Sequence, residues 1–111
     1  MDTEVKLNRM KRAVNDLITD IKTRTFPVDR IILFGSVVNG GFNEYSDLDV
    51  CICHENELTI RQMREIEMYF KDALSDEMDV DFIYCTHEKL RDGQHVFERI
   101  RKEGRVLYEH L

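Results

Sequence analysis

The sequence predicts a small domain of mixed helices and strands, of the α/β or α+β class. Segments with helical spacing of apolar residues alternate with short apolar segments rich in β-branched residues, which predicts helices and strands in alternation. A length of 111 residues with 42% hydrophobic content fits one compact domain, residues 1–111. We expect a small mixed β-sheet with helices packed on one face.

The first half of the chain predicts one helix and two strands. Apolar residues recur at helical spacing, and they are Met10, Ala13, Val14, Leu17, Ile18 and Ile21. This helix should end before Phe26, because a residue that precedes a proline avoids the helical region. Strands are predicted over residues 30–34 and 47–53, the second with Leu48, Val50 and Ile52 toward the core. Between them, residues 39–41 (Asn-Gly-Gly) are a turn signal.

A capping box predicts the start of the second long helix. Thr59 and Gln62 have the spacing at which each side chain binds the backbone of the other residue. The inward residues of this helix should be Met63, Ile66, Phe70, Ala73 and Leu74. A last helix over residues 91–103 should stop at Gly104, a favoured left-handed cap, and a strand over residues 106–108 should follow.

The third strand, predicted over residues 79–84, alternates in character. Successive side chains of a strand point to opposite faces. One face should carry Val80, Phe82 and Tyr84, and the other should carry Asp79, Asp81 and Ile83. In both the second and the third strand, the carboxylates point to one face of the sheet and the large apolar residues point to the other face. One sheet face should therefore carry the chemistry and the other the core.

Charge and composition exclude several classes of protein. A formal net charge of −6 argues against non-specific binding to DNA or RNA, which depends on basic groups at the phosphates. No stretch approaches the roughly 18 apolar residues of a membrane span, and the first residues form no signal peptide. We therefore expect a cytoplasmic protein that does not enter membranes.

The cysteines are interpreted as reduced thiols, because the chain has 3 of them, an odd number, and no secretory signal. A structural zinc site is the alternative, since Cys51, Cys53, Cys85 and His87 could lie on one sheet face, with His54 adjacent. The Cys-x-Cys and Cys-x-His spacings differ from the usual Cys-x-x-Cys pattern. They favour small buried thiols instead.

The most informative motif combines Gly35-Ser36, after the first strand, with Asp47 and Asp49 in the second. These two carboxylates should project from the same strand face, roughly 6–7 Å apart. Such a pair suits Mg²⁺, which prefers oxygen ligands and is usually held by one or two carboxylates plus substrate phosphates. Gly35 permits positive φ and close backbone approach, and Ser36 adds a hydroxyl, so this turn could bind those phosphates.

On these residues the chain resembles the minimal nucleotidyltransferases of the DNA polymerase beta superfamily. The matching residues are Leu33-Phe34-Gly35-Ser36, then Gly40, then Ser46-Asp47-Leu48-Asp49-Val50, with a candidate third carboxylate in Met78-Asp79-Val80-Asp81-Phe82-Ile83-Tyr84. Residues 100–108 also resemble the closing helix and strand of that family. The resemblance covers nearly the whole chain and implies the nucleotidyltransferase fold.

The resemblance implies a metal-dependent transfer of AMP, or another nucleoside monophosphate, from a nucleoside triphosphate such as ATP. The phosphates would bind at Gly35-Ser36, and two Mg²⁺ ions would be held by the catalytic carboxylates Asp47, Asp49 and Asp81. Asp79 competes for the third position. We prefer Asp81 because the apolar run after it matches the one that follows the third carboxylate of the family.

The chain departs from the family directly after the Gly-Ser pair. Many members carry arginines there that can pair with phosphate, whereas this chain has Val37, Val38 and Asn39. Triphosphate binding would then depend on backbone amides, on metal, and on cations placed elsewhere in the sequence. Lys71 and Arg61 are candidates for that role, although both also fit an ordinary solvated helix face.

The acceptor is expected on another macromolecule, because the chain leaves no room for an acceptor-binding region. Stand-alone minimal domains of the family are often paired with a small helical toxin of the HEPN type, and some act as antitoxins by transferring AMP to a tyrosine of that toxin. We expect such a partner, contacted partly through residues 39–44. Two alternatives stay open: a non-catalytic antitoxin that neutralises its partner by occlusion, and an antibiotic nucleotidyltransferase.

Overall fold

Helices and strands alternate along the computed structural model, which describes residues 3–24, 26–40, 47–74 and 79–110. The first half of the chain contains α1 (Thr3–Arg24), β1 (Arg30–Phe34), α2 (Ser36–Asn39) and β2 (Leu48–Cys53). The second half contains α3 (Ile60–Leu74), β3 (Val80–Cys85), α4 (His87–Asp92), α5 (Val96–Glu103) and β4 (Arg105–Glu109). This order of elements confirms the mixed α/β class.

The strands form a four-stranded mixed sheet in the order β3-β2-β1-β4. β2 and β4 run antiparallel to β1, whereas β3 runs parallel to β2. Phe34 at the end of β1 lies opposite Asp49 of β2, and Asp49 lies opposite Asp81 of β3. The end of β1 and the starts of β2 and β3 therefore meet at the same end of the sheet.

The long helices α1 and α3 pack on one face of the sheet. The buried residues of this main core include Leu17, Ile31, Leu33, Leu48, Val50, Ile52, Ile66 and Phe70. Burial of one such side chain stabilises the fold by roughly 1.5–3 kcal/mol. Phe82 packs against the same core. The predicted alternation is confirmed for Asp49 and Asp81, which occupy the strand positions that point to the opposite face. It is wrong for Asp79, which precedes β3 and lines a pocket with Val80 and Phe82 on the side of α3.

The opposite face is covered in part by α4 and α5. Its buried residues are Ile32, Phe34, Cys51, Cys53, Cys85, Leu90 and Ile100. The helices predicted on one face of the sheet are α1 and α3. The α4–α5 pair forms a second, smaller layer on the opposite face. The physical reason is the continuous apolar run at residues 31–34, which marks a strand that is buried on both faces.

The single helix predicted over residues 91–103 is wrong in its extent, because α4 and α5 are separate helices. α4 begins after Thr86, whose Oγ1 accepts a hydrogen bond from the backbone N–H of Lys89 at 3.2 Å. It ends at Gly93, whose N–H donates to the Lys89 carbonyl at 2.7 Å. A Cβ at Gly93 would collide with the carbonyl oxygen of Lys89 and lie 2.6 Å from the ring of Phe97. The last turn of α4 and the close approach of α5 therefore both require glycine.

Gly104 ends α5, but the left-handed conformation predicted for it is wrong. Its φ of −66° and ψ of 144° are extended. A Cβ at this position would collide with the carbonyl oxygen of Ile100 and lie 2.7 Å from Cγ2 of Ile32. Glycine is required here because the end of α5 packs closely on β1.

The other boundary predictions are confirmed to within one residue at each end. α1 ends at Arg24, before Phe26. The capping box forms as predicted: the Gln62 N–H donates to Oγ1 of Thr59 at 3.1 Å, and the Thr59 N–H donates to Oε1 of Gln62 at 2.9 Å. No helix in the described segments is long and apolar enough to cross a membrane.

Candidate active site

The Gly35-Ser36 turn lies directly against Asp49. Gly35 has φ 77° and ψ −151°, a backbone conformation that glycine adopts at little cost and other residues avoid. A Cβ at Gly35 would collide with Oδ2 of Asp49 and lie 3.2 Å from its Cγ. The missing side chain therefore lets the turn and the carboxylate touch, and the two halves of the sequence motif meet in space.

The residues after Gly35 form α2, a single short helical turn. Ser36 opens this turn and is half-buried. The first N–H groups of a helix have no carbonyl partner within it, so they and the Ser36 hydroxyl are donors near the end of the sheet that carries Asp49. Gly40 closes α2 with a φ of 90°, at the predicted turn. Residues 41–46, with Ser46 and most of the expected partner-contact segment, lie outside the described residues.

Three carboxylates approach this turn from β2, β3 and the residues before them. Asp49 and Asp81 are direct neighbours on parallel strands, which lie roughly 4.8 Å apart in a sheet. Asp47 precedes β2 and has the same alternation as Asp49. The backbone N–H of Leu48 donates to the carbonyl of Asp79 at 3.0 Å and ties the two strand starts together. The structure therefore brings all three predicted carboxylates to one end of one sheet face.

The charges of these groups act on one another. Burial raises the pKa of Asp49 above its ordinary value, and the carboxylates of Asp81 and Asp47 raise it further. The guanidinium of Arg99 opposes them and lowers that pKa. Asp47 and Asp81 are exposed. This excess of negative charge around a half-buried carboxylate favours a bound cation.

Asp79, the alternative third carboxylate, lies elsewhere. It is exposed directly before β3, and it lines a pocket of about 550 Å³ with Arg64, Lys71 and Phe82 on the side of α3. It is not among the groups that shift the pKa of Asp49. Of the two candidates, Asp81 is the one that lies beside Asp49.

Of the cations suggested by the sequence, Lys71 lines that same pocket beneath α3. Arg61 is exposed in the first turn of α3 and pairs with Glu65, with Nε and Oε1 3.6 Å apart. Since α3 packs on the face opposite the carboxylates, neither cation is brought to Asp49.

Arg99 is the residue that the sequence analysis missed. Ile100 anchors α5 on Ile32 and Phe34, and Phe97 packs beside it. Arg99 and Arg101 flank Ile100 on the two sides of this contact, and Arg99 is the one whose charge acts on Asp49. Within the part of the chain that the structure describes, Arg99 makes no ion pair. No local sequence signal identifies it, because its position depends on how α5 crosses β1.

The cysteines share one sheet face, as expected, and lie together in the core. Sγ of Cys51 is 3.6 Å from Sγ of Cys85. The hydrogen bond with Cys51 raises the pKa of Cys85 to about 12, and the hydrogen bond with Cys85 and burial raise the pKa of Cys53. His87 pairs with Asp29 instead, with Nε2 and Oδ2 3.3 Å apart. The three cysteines are free and buried, and these contacts give the zinc alternative no support.

Among the described residues, no three His, Cys, Asp or Glu side chains could hold a metal ion by themselves. This finding does not conflict with a magnesium site of the expected kind, because Mg²⁺ usually takes one or two carboxylates and completes its shell with water and phosphate. The neighbouring carboxylates Asp49 and Asp81 fit that requirement.

Family comparison agrees with the geometry of this site. The sequence matches the family model of the nucleotidyltransferase domain over residues 14–108. The match covers most of the chain, which therefore belongs to the nucleotidyltransferase domain family. No curated protein matches the sequence significantly.

Several solved structures share the fold. A crystal structure of a toxin-antitoxin with AMP-PNP has a TM-score of 0.61 at 24% identity, covering 86% of this chain and 73% of that one. A tri-AMPylated HEPN toxin of Shewanella oneidensis in complex with MNT antitoxin gives 0.55 at 22% identity, with 92% and 73% covered. A Sulfolobus solfataricus protein, provisionally assigned as a nucleotidyltransferase, gives 0.59 at 15% identity, with 96% and 86% covered. These similarities confirm the nucleotidyltransferase fold.

Proposed function

We propose that this chain is a metal-dependent nucleotidyltransferase that transfers AMP, or another nucleoside monophosphate, from a nucleoside triphosphate to a hydroxyl group. Family membership supports the reaction class. The observation that carries the proposal is the contact of Gly35 with Asp49, together with Asp81 opposite Asp49 on the next strand. Phosphoryl transfer relies on positioning and charge neutralisation, and this arrangement offers both at one point.

In this proposal the Gly35-Ser36 turn binds the triphosphate, and Asp47, Asp49 and Asp81 hold two Mg²⁺ ions. The donor set fits these ions, because carboxylate oxygens are the ligands that Mg²⁺ prefers. The raised pKa of Asp49 supports the same assignment, since it reflects negative charge that a cation would neutralise. When bound, such ions neutralise phosphate charge and polarise the phosphoryl group.

The residues of the chain have distinct roles in the transfer. The acceptor oxygen forms a bond to the α-phosphorus, and the bond from that phosphorus to the bridging oxygen breaks and releases pyrophosphate. Asp81 is exposed at the site and takes the proton of the acceptor hydroxyl. Arg99 pairs with the phosphate charge, in place of the arginines that are missing at Val37 and Val38.

We propose a HEPN-type toxin as the acceptor, with AMP transferred to one of its tyrosines in the cytoplasm. Support comes from the structural neighbours, one a toxin-antitoxin with AMP-PNP and one a tri-AMPylated HEPN toxin in complex with MNT antitoxin. The net charge of −6 disfavours a nucleic-acid acceptor. The chain then acts as the antitoxin of the pair, and the single domain 1–111 carries the whole site.

Occlusion of the partner without catalysis is the second candidate function. The observation that favours it is the sequence after Gly-Ser, where Val37, Val38 and Asn39 replace the phosphate-binding arginines. The contact between Gly35 and Asp49 argues against it, because a vestigial site has no need of a glycine at this position. Antibiotic modification is a third possibility, and it would proceed without a protein partner.

The transfer is tested with ATP labelled at the α-phosphate, magnesium, and the HEPN-type protein of the same organism. We expect Asp81→Asn to abolish labelling of the partner and to leave the fold intact, because Asp81 lies beside Asp49. Asp79→Asn is the matched control and should have a mild effect. Undiminished labelling by Asp81→Asn would overturn the assignment, and the absence of labelling by the wild-type chain would overturn the proposed reaction.

A further inference from the structure

A second pocket lies at the other end of the sheet face that carries the carboxylates. It has a volume of about 440 Å³ and lies between the α4–α5 pair and strands β1 and β4. Ile32 and Arg30 of β1 line it, whereas Asp49 lies opposite Phe34 at the far end of β1. From residue 30 to residue 34, at roughly 3.3 Å per residue, is about 13 Å. The pocket is therefore separate from the candidate active site.

The floor of this pocket, which we call the arginine pocket, is apolar. It is formed by Ile32, Leu90, Ile100 and Val106. Val106 of the edge strand β4 is 49% exposed. The volume falls in the range of about 300–1,000 Å³ that is usual for small-molecule sites, which combine an apolar lining with a few polar groups.

The charged side chains that line the arginine pocket are Arg30, Arg91 and Arg101, and no carboxylate is among its described lining residues. Arg30 pairs with Glu109, and Arg91 pairs with Asp92, both just outside the lining. The other described pockets that carry charged residues all include acidic side chains. In a chain with 22 acidic and 16 basic residues, an acid-free lining is unusual. Arg101 is the lining arginine that makes no ion pair among the described residues, so it is the group that favours an anion here.

Arg101 is held in place by two backbone carbonyls, and its charge also acts on the nearby carboxylate of Asp92. Its Nη1 donates to the carbonyl oxygens of Leu90 and Gly93, each at 2.7 Å. Within the described ranges it makes no ion pair with a carboxylate. A guanidinium fixed in this way loses little further freedom when its other N–H groups bind a phosphate or carboxylate.

Arg30 adds a nitrogen that lacks a hydrogen-bond acceptor. One of its nitrogens, Nη2, pairs with Oε1 of Glu109 at 3.1 Å. Its Nε is buried without a hydrogen-bond partner, the one side-chain atom of this kind in the part of the chain that is described. A buried donor without a partner is unfavourable, so a small shift of this guanidinium onto an acceptor group would stabilise the complex.

We propose that the arginine pocket binds a small organic anion, with its apolar body on Ile32, Ile100 and Val106 and its phosphate or carboxylate group at Arg101 and Arg30. The apolar floor and the arginines line the same pocket. We therefore expect a ligand with both an apolar body and an anionic group to bind more tightly than a ligand with only one of them. The proposal is independent of the transfer reaction, since the pocket contains none of the residues that we assign to it.

The test is a titration of the ¹⁵N-labelled protein, followed by NMR, with octyl phosphate, octanoate, inorganic phosphate and octanol. We expect saturable shifts at Leu90, Gly104 and Val106 with octyl phosphate, octanoate or both, which also identifies the preferred anionic group. Inorganic phosphate and octanol should bind at least tenfold more weakly. Equal binding of octanol, or shifts confined to the Gly35-Ser36 turn, would overturn the proposal.

Variants of two residues separate charge from folding. Arg101→Ala should weaken binding at least tenfold, and Arg61→Ala, an exposed arginine on α3, should not change it. Arg101 also supports the α4–α5 connection, so a second pair tests the charge at the exposed position 106. Val106→Glu should abolish binding, and the similar but neutral Val106→Gln should retain most of it. Equal binding by these two variants would overturn the proposal.

Discussion

At the scale of single residues, the site depends on the absence of a side chain at Gly35. Gly35→Ala would force a positive φ on alanine, which costs about 1–3 kcal/mol, and would push the new methyl group into Asp49. Gly40→Ala is a matched control, because Gly40 also has a positive φ but a Cβ there meets nothing within 4 Å. Both variants should lower the melting temperature.

Only Gly35→Ala should also lose the stabilisation by ATP and magnesium. For the wild-type chain, the ligands should raise the free energy of unfolding by about 2.7 kcal/mol when their concentration is 100 times the dissociation constant. Thermal melts with and without the ligands measure it for all three proteins. An equal ligand-induced shift in both variants would contradict the placement of phosphate at this turn.

The raised pKa of Asp49 makes stability depend on pH. Because the folded-state pKa lies above its ordinary value of 3.8, the contribution of Asp49 is fully present at pH values below that and is lost as the pH rises through the folded-state pKa. Asp49→Asn should therefore be more stable than the wild type at neutral pH without metal. The difference should shrink in acid.

Urea unfolding in the presence of EDTA, at neutral and at acidic pH, measures this difference. Asp16→Asn, at an exposed position of α1, serves as a control for the loss of one negative charge. If the advantage of Asp49→Asn were the same at both pH values, the raised pKa would not be its cause.

At the scale of elements, α5 connects the two charged ends of the sheet face. Ile100 fixes the helix on β1. The charge of Arg99 lowers the pKa of Asp49, and Arg101 lines the arginine pocket. Arg99→Ala should weaken ATP binding about tenfold, or about 1.4 kcal/mol, and Arg99→Lys should restore part of it. Lys102→Ala, at an exposed position of the same helix, should have no effect.

Calorimetry with ATP and magnesium measures the affinities of these α5 variants. The pKa of Asp49, followed by NMR without metal, gives a second readout, because loss of Arg99 should raise it. Unchanged values for both quantities in Arg99→Ala would remove Arg99 from the site.

The elements also show which features a sequence can predict. The capping box at Thr59 and the proline after Phe26 act on their own neighbours, so the boundaries that they set could be predicted. The spacing between Gly35-Ser36 and Asp49 could be recognised in the sequence because it resembles the motif of a known family. At Gly104 a close contact with Ile32, which is distant in sequence, adds to the local clash with the carbonyl oxygen of Ile100. The effect of Arg99 on Asp49 depends on how α5 packs on β1. Such tertiary contacts leave no local pattern.

At the scale of the whole molecule, the charge is divided along one sheet face. The carboxylates gather at the end where β2 and β3 begin, and the arginine pocket occupies the other end. The carboxylate end favours cations. At the other end Glu109 and Asp92 pair with Arg30 and Arg91, and Arg101 is left as the cation that can receive an anion. The proposed nucleotide and the proposed organic anion can therefore occupy the same face without competing for residues.

The proposed antitoxin function makes a prediction for the molecule as a whole. When the chain is co-expressed with its HEPN-type partner, the wild type should restore growth and the partner should gain the mass of AMP in intact-protein spectra. Asp47→Asn combined with Asp49→Asn should abolish both effects, because the site loses two of its three carboxylates. Asp79→Asn should behave like the wild type, since Asp79 lies outside the group around Asp49. If the double variant restored growth as well as the wild type and no mass change appeared, transfer would be excluded and occlusion would explain the antitoxin function.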